Sequence, residues 1–424
     1  MSRLAPAHFA TLATLVLFGA CGTTPTGNGG TDILFTLATV DVGRKHSCGL
    51  TTSGTAYCWG DNTEGQLGDA SNISSPRPVP VAGGRHFVQL TSGGRNHTCG
   101  LTANGEAYCW GENPFGQLGD GGTTNSNVPV RAAPGITFAN VDAGTYHTCG
   151  VATHGTAYCW GSNGPLVQGG ASDGWAFGTP TTLMCDNPET TYRGDEWHCS
   201  PTPVAIPGPA FSTISAGLWA TCGTTPSGEA HCMGWNTLWA LGDGTEDHAA
   251  APTPVSGGLS FDQLTLGLHG CGLVGATAYC WGARFFDNGQ TGNGTMAGSS
   301  TPAPVAGGLT FASVHPNANN IFAFTCGLTT SGEGYCWGNN RYGELGTEAP
   351  LETCSSGGGG WQCSSVPVPV AGGIDFISLA TGQNFACGVD RNGAGYCWGQ
   401  NDTGQLGDGT IIDRTVPVRI LDPR

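Results

Sequence analysis

Apolar and polar residues alternate along this chain in short bursts. Phe87-Val-Gln-Leu, His97-Thr-Cys-Gly-Leu101 and Ala107-Tyr-Cys-Trp-Gly111 follow one another with period two, the signature of β-strands. Thr102-Ala-Asn-Gly105 separates the second from the third, and Gly105 suits the left-handed position of a bulged three-residue turn. A glycine-rich loop follows, and Val128-Pro-Val130 begins the next short strand. No stretch after residue 30 carries helical periodicity. The unit is written seven times. Its first cysteine, from Cys48 to Cys387, recurs after 51, 50, 73, 49, 55 and 61 residues. Repetition at this period builds a propeller or a solenoid, and four short antiparallel strands make one propeller blade.

The turn places Leu101 opposite Ala107 and Cys99 opposite Cys109, close enough for a disulfide. The same logic pairs Cys48 with Cys58, Cys149 with Cys159, Cys222 with Cys232, Cys326 with Cys336, and Cys387 with Cys397. Cys271 and Cys280 are one residue closer, and the turn Val274-Gly-Ala-Thr277 is shorter to match. Two further pairs, Cys185/Cys199 and Cys354/Cys363, fall in over-long repeats. Alternation puts His97, Cys99, Leu101, Ala107 and Cys109 on one side of the blade and Tyr108 and Trp110 on the other. Both sides are apolar, so each blade is expected between two others. The tryptophans of Cys-Trp-Gly (Trp59, Trp110, Trp160, Trp281, Trp337, Trp398) then form inter-blade core. The fold expected is all-β, a seven-bladed propeller of four-stranded blades over residues 32–422. Val416-Pro-Val-Arg-Ile420 has no hairpin after it, so it is expected to join the N-terminal blade and close the ring.

Composition changes this picture little. The chain has 424 residues, with 73 glycines, 26 prolines and a formal net charge of -16. That acidity, without a basic patch, argues against nucleic acid as a partner. The N-terminus reads differently. Arg3, the apolar Phe9 to Phe18 and the small Gly19 and Ala20 form a signal peptide over residues 1–20. Leu17-Phe18-Gly19-Ala20-Cys21 resembles a bacterial lipobox, which makes Cys21 the lipidated first residue of the mature chain. Residues 21–31 then form a flexible tether. Of the 19 cysteines, Cys21 alone lacks a partner, and paired cysteines fit an exported protein. The expected location is the bacterial cell envelope, as a membrane-anchored lipoprotein, or the exterior.

His-Thr-Cys-Gly-Leu, Ala-Tyr-Cys-Trp-Gly and Gly-Gln-Leu-Gly-Asp-Gly, recurring in phase over about residues 33–421, resemble the regulator of chromosome condensation repeat. The loop motif is complete at 116–121 and 404–409, nearly so at 65–69, weaker at 343–346 and 241–244, and degraded at 164–170 and 288–294. The resemblance implies a seven-bladed propeller closed by a shared blade. It also implies several functions, because one fold hosts many. The founding activity, nuclear guanine-nucleotide exchange, is disfavoured by the signal peptide, the cysteine pairs and the acidity. Secreted relatives inhibit β-lactamases, and a plant relative senses ultraviolet light through a Gly-Trp-Arg-His-Thr stretch, which here is Gly94-Arg-Asn-His-Thr98.

Local chemistry is sparse. His46, His97, His147 and His269 share one repeat position, but each belongs to its own blade, so no metal is expected. Asp61, Asp69, Asp120, Asp243 and Asp408 lie in glycine-rich loops without calcium-loop spacing. No catalytic motif is present and no cofactor is expected. The favoured reading is a non-enzymatic, monomeric envelope or surface protein that binds a protein or glycan through one loop face. An enzyme with its site in the central channel, and a secreted inhibitor of another enzyme, stay open as alternatives. Insertions at about 172–201 and 348–365 follow the third strand of their repeats, so both are expected on one face. They carry Trp175, Phe177, Tyr192, Trp197 and Trp361, the candidate partner contacts.

Overall fold

The computed structural model describes residues 35–165, 176–177, 183–186, 196–285, 288–317, 322–356 and 359–423. The expected signal peptide, Cys21 and the tether lie outside them. Among the described residues thirty strands form seven antiparallel sheets, each built on a four-stranded meander. The first blade is Leu37–Val42, His46–Thr51, Ala56–Gly60 and Ser75–Pro80, and the last runs from Phe376–Thr381 to Arg414–Arg419. The third and sixth blades each gain a fifth, outermost strand from their insertions, Leu183–Asp186 and Glu352–Ser356.

The hairpin register follows the turns. Cys99 faces Cys109 and Leu101 faces Ala107 across Gly105, whose φ is 79°. Cys271 faces Cys280 across a two-residue turn with Gly275 at φ 61°. In all seven hairpins the paired cysteines are disulfide-bonded with Cα atoms 4.0–4.1 Å apart. Cys185–Cys199 and Cys354–Cys363 bind the two extra strands to their neighbours.

Blades meet face to face as alternation demands. The Cys, Leu and Ala side of the first blade (Cys48, Leu50, Ala56, Cys58) packs on Phe87, Leu90 and Trp110 of the second. All six tryptophans of Cys-Trp-Gly are fully buried in this way. Each such tryptophan also reaches back to the glycine-rich loop of the blade before it. The Nε1–H of Trp110 donates to the carbonyl of Gln66 at 2.9 Å, and that of Trp160 to Gln117 at 3.0 Å. Trp281, Trp337, Trp398 and Trp59 do the same to Ala240, Gln290, Glu344 and Gln405. The glycine two residues past that carbonyl is required. A Cβ on Gly68, whose φ is 66°, would sit 2.8 Å from the Trp110 ring.

A second donor completes each joint where the chain supplies one. The hydroxyls of Thr98, Thr148 and Thr325 donate to the carbonyls of Gln66, Gln117 and Gln290 that also hold the tryptophans. Thr221 donates to Ala176, where Met233 stands in place of a tryptophan. Because each threonine proton is committed, the histidine before it in the ring must be the donor. The Nε2–H groups of His46, His97, His147 and His269 donate to Thr98, Thr148, Thr221 and Thr325 at 2.7–3.0 Å. The blades lacking the histidine have Ala220, Phe324 and Phe385, and the blades after them have Gly270, Ala386 and Ser47. The histidines are thus parts of the joints. Burial holds them neutral, with His46 and His147 at about 4 and His97 and His269 at about 3.

The expected closure is corrected here. Arg414–Arg419 pairs with Gly395–Gly399 of its own blade and does not enter the first sheet. Val-Pro-Val segments are the outer strand of the preceding blade, as Val130 opposite Cys109 shows. The ring closes instead by the same joint as everywhere else. The Gln405 carbonyl takes Trp59 at 2.9 Å and Ser47 at 2.8 Å, and Leu37, Val40 and Trp59 share a core with Phe385, Leu406 and Ile420.

Two pH-dependent outcomes follow from the joints. His97 has a depressed native pKa, so stability falls as pH drops from about 6.5 towards 3. His97→Phe with Thr148→Ala copies the joint of Phe324 and Ala386. In denaturant titrations it should remove about one proton, about 1.4 kcal/mol per pH unit, from that acid slope. Glu344 replaces the loop glutamine in the sixth repeat; it is fully buried, accepts N–H groups from Tyr342 and Asn339, and burial pushes it up to about 8. A raised carboxylate costs stability as pH rises from 4.5 to about 8. The thermal stability advantage of Glu344→Gln over wild type should therefore be larger at pH 9 than at pH 5.

Candidate functional site

Strands run alternately up and down, so the loops between first and second strands emerge on the same face as those between third and fourth. The hairpin turns lie on the other face. The third-to-fourth loops are held rigid from within. Asn62, Asn113, Asn236, Asn340 and Asn401 each accept, through Oδ1, the N–H of the leucine five residues on. Asn62, Asn236 and Asn401 also donate to the loop carboxylates Asp69, Asp243 and Asp408. These aspartates therefore cap their own loops.

That face carries a continuous run of aromatic side chains over the second, third and fourth blades. Tyr146 lies parallel to Trp219, with ring centroids 6.4 Å apart and planes at 6°. Trp219 meets Trp235 edge-on at 4.7 Å, and Trp235 lies beside His248. Behind them, Trp197 stacks on Phe115 at 5.2 Å, and both touch Tyr146 edge-on. The Arg95 guanidinium sits 5.1 Å from the Tyr146 ring and pairs with Glu112 at 3.0 Å, both buried. Tyr146, Trp219 and Trp235 are half-buried and offer ring surface to solvent. Trp239 and the 67%-exposed Phe285 continue the face over the fourth and fifth blades, bridged by Arg284.

The sequence-derived contact residues separate into three kinds. Trp175 and Tyr192 lie outside the described residues. Phe177 is fully buried, and its N–H donates to Asn163 as the loop leucines donate to theirs. Ala176 and Phe177 thus take the places of the glutamine and leucine of the loop motif in the third repeat. Phe177 has a structural task and no surface for a partner. Trp197 is 8% exposed and serves mainly to support Tyr146. Trp361 is half-buried and meets Phe322 edge-on at 5.5 Å. Sequence reasoning missed Tyr146, Trp219, Trp235 and Trp239. Their signal is an aromatic at loop positions of the repeat where Asn96, Glu112 or Gly116 stands elsewhere.

The central channel is lined by the position facing the first cysteine in each blade. Asp41, Thr91, Asp142, Ser215, Thr265, His315 and Ala380 form this ring around a cavity of about 90 Å³. Its carboxylates are engaged by neighbouring blades. Asp41 accepts the N–H of Ser92 at 2.8 Å, and Asp142 accepts from Thr91, Ser215 and the N–H of Ala216. Burial pushes Asp41 up to about 7, raises Asp142 and lowers His315 to about 4. No group of three metal-ligating side chains converges among the described residues. The ring is built to tie blades together at the axis.

Fold and face together define a seven-bladed propeller with an aromatic run on its loop-bearing side. Models of the regulator of chromosome condensation (RCC1) repeat match residues 38–66, 87–117 and 322–344, and a second model of that repeat matches 53–101, 104–151 and 392–424. The chain belongs to the RCC1-repeat propeller family. It is 26% identical to the ultraviolet-B receptor UVR8 of Arabidopsis thaliana over 385 residues, 89% of this chain and 80% of that protein. It is 28% identical to the mouse (Mus musculus) E3 ubiquitin-protein ligase HERC2 over 84% of this chain, which is only 7% of HERC2. Prp20p of Saccharomyces cerevisiae shares the fold, with a TM-score of 0.71 at 20% identity over 88% of this chain and 87% of that one.

Proposed function

We propose that this protein is a non-enzymatic binding module of the cell envelope that holds a protein partner on its loop-bearing face. One observation carries the reading. Of the 12 tryptophans, six are consumed by the blade joints. The five others among the described residues, Trp197, Trp219, Trp235, Trp239 and Trp361, all belong to loops or insertions of that one face. Half-buried, mutually supported tryptophan and tyrosine rings over a buried Arg–Glu pair are preorganised, which lowers the ordering cost of binding. The fold's relatives are consistent with a protein ligand. Prp20p has reported binding properties to Gsp1p and histones, and Kap60 has been crystallised bound to yeast RCC1 (Prp20). Nine disulfides fit an oxidising compartment, and Cys21, outside the described residues, is the proposed lipid anchor.

Trp219→Ala with Trp235→Ala should lower cross-linked capture of the partner from envelope extract by about tenfold or more, with the thermal transition near that of wild type. Asn104→Ala, on the hairpin face, should change nothing. Equal loss from both variants would sink the assignment of the face. For the anchor, Cys21→Ser should move the protein from the membrane pellet to the soluble fraction. A wild-type chain that is already soluble and carries no lipid mass would refute it.

A further inference from the structure

The loop-bearing face has a second concavity, away from the aromatic run. It lies between the sixth-blade loop with its insertion and the outer strand of the seventh blade, with a volume of about 640 Å³, within the range of small-molecule sites. Arg341, Tyr342, Glu348, Gln362, Asp413 and Thr415 line it. Arg341 is exposed, and its guanidinium lies 5.1 Å from the Phe322 ring and 5.8 Å from the Tyr342 ring. Rings at cation–π distance attract a guanidinium without using its N–H donors. Elsewhere on this acidic chain Arg95, Arg284, Arg391 and Arg414 each pair with a carboxylate. Arg341 has no carboxylate within 4 Å among the described residues, although Glu348 and Asp413 line the same cleft. Those two carboxylates likewise have no cation partner there, and Asp413 accepts only the backbone N–H of Asn401, at 2.7 Å.

A cleft that holds opposite charges apart is complementary to a ligand that carries both. We propose that it binds a short zwitterionic peptide, the ligand's carboxylate on the Arg341 fork and its ammonium towards Glu348 and Asp413. A guanidinium fork suits a carboxylate's two oxygens. The Gln362 amide and Thr415 hydroxyl match a peptide unit, and Leu351 and Val416 offer apolar surface for a side chain. The proposal is independent of the aromatic run and concerns a different ligand.

Calorimetric titration of the full chain with alanyl-leucine tests it against N-acetyl-alanyl-leucine and alanyl-leucine amide. Wild type should bind the free dipeptide saturably. Each blocked peptide should bind on the order of tenfold or more weakly, since each loses one charge-assisted contact. Arg341→Met should weaken the free dipeptide similarly with an unchanged circular dichroism spectrum, and Glu348→Gln with Asp413→Asn should erase the preference over the acetylated peptide. The Trp219→Ala, Trp235→Ala variant should bind the dipeptide as wild type does, so failure of one site is separable from failure of the other. No saturable heat with the free dipeptide, equal binding of either blocked form, or an Arg341→Met chain that binds normally would each overturn the proposal.

Discussion

The structure depends on one carbonyl per blade. It lies in the loop after the third strand, and it accepts a tryptophan N–H from the next blade, a hydroxyl, or both. A carbonyl has two lone pairs, and at Gln66, Gln117, Gln290 and Gln405 both are used. A buried indole or hydroxyl left without an acceptor costs roughly 1–3 kcal/mol, so each joint penalises separation of its blades. The disulfides do not share this task. Each hairpin disulfide staples two strands of one blade, and none of the nine crosses a joint. Covalent bonds make the blade; hydrogen bonds and tryptophan packing make the ring.

This division explains what was legible in the sequence. A hairpin is local, so the spacing of Cys99 and Cys109, its contraction at Cys271 and Cys280, and the side taken by Trp110 could all be reasoned from adjacent residues. The closure could not. Val416-Pro-Val reads the same whether it ends one blade or opens another, and the choice is made by pairing, Val418 opposite Cys397. The task of the histidines was hidden for a related reason. Read within one repeat, His97 is a lone imidazole. Its partner Thr148 is 51 residues away in the next blade. The match of histidine with a following threonine was present in the chain and needed the ring to give it meaning.

The candidate site was legible only in outline. Over-long loops pointed to the face that carries the aromatic run, but counting their aromatics treated packing and half-buried rings alike. Phe177 looks spare because nine extra residues separate it from Asn163. The spacing is 14, against five in the other repeats. The structure returns it to the leucine position of the joint. Tyr146 and Trp219 escaped notice because they stand in short loops that no insertion advertises.

The joint also determines where this propeller can vary. Its requirements are narrow: an asparagine to hold the loop, a carbonyl to receive the next blade, and a glycine against the tryptophan ring. Length can change between the asparagine and the carbonyl, or between the glycine and the outer strand. The third repeat uses both intervals, and the sixth uses the second, where residues 348–365 build a fifth strand on Gly359–Pro369. The blade-to-blade joint survives both: Thr221 still reaches the Ala176 carbonyl in the third repeat, and Trp398 the Glu344 carbonyl in the sixth. On the opposite face the hairpin turns set the disulfide register, so a length change there must be matched by a cysteine shift, as at Cys271 and Cys280. Diversity is therefore confined to one face by the mechanics of the ring, and that face is where the half-buried tryptophans lie.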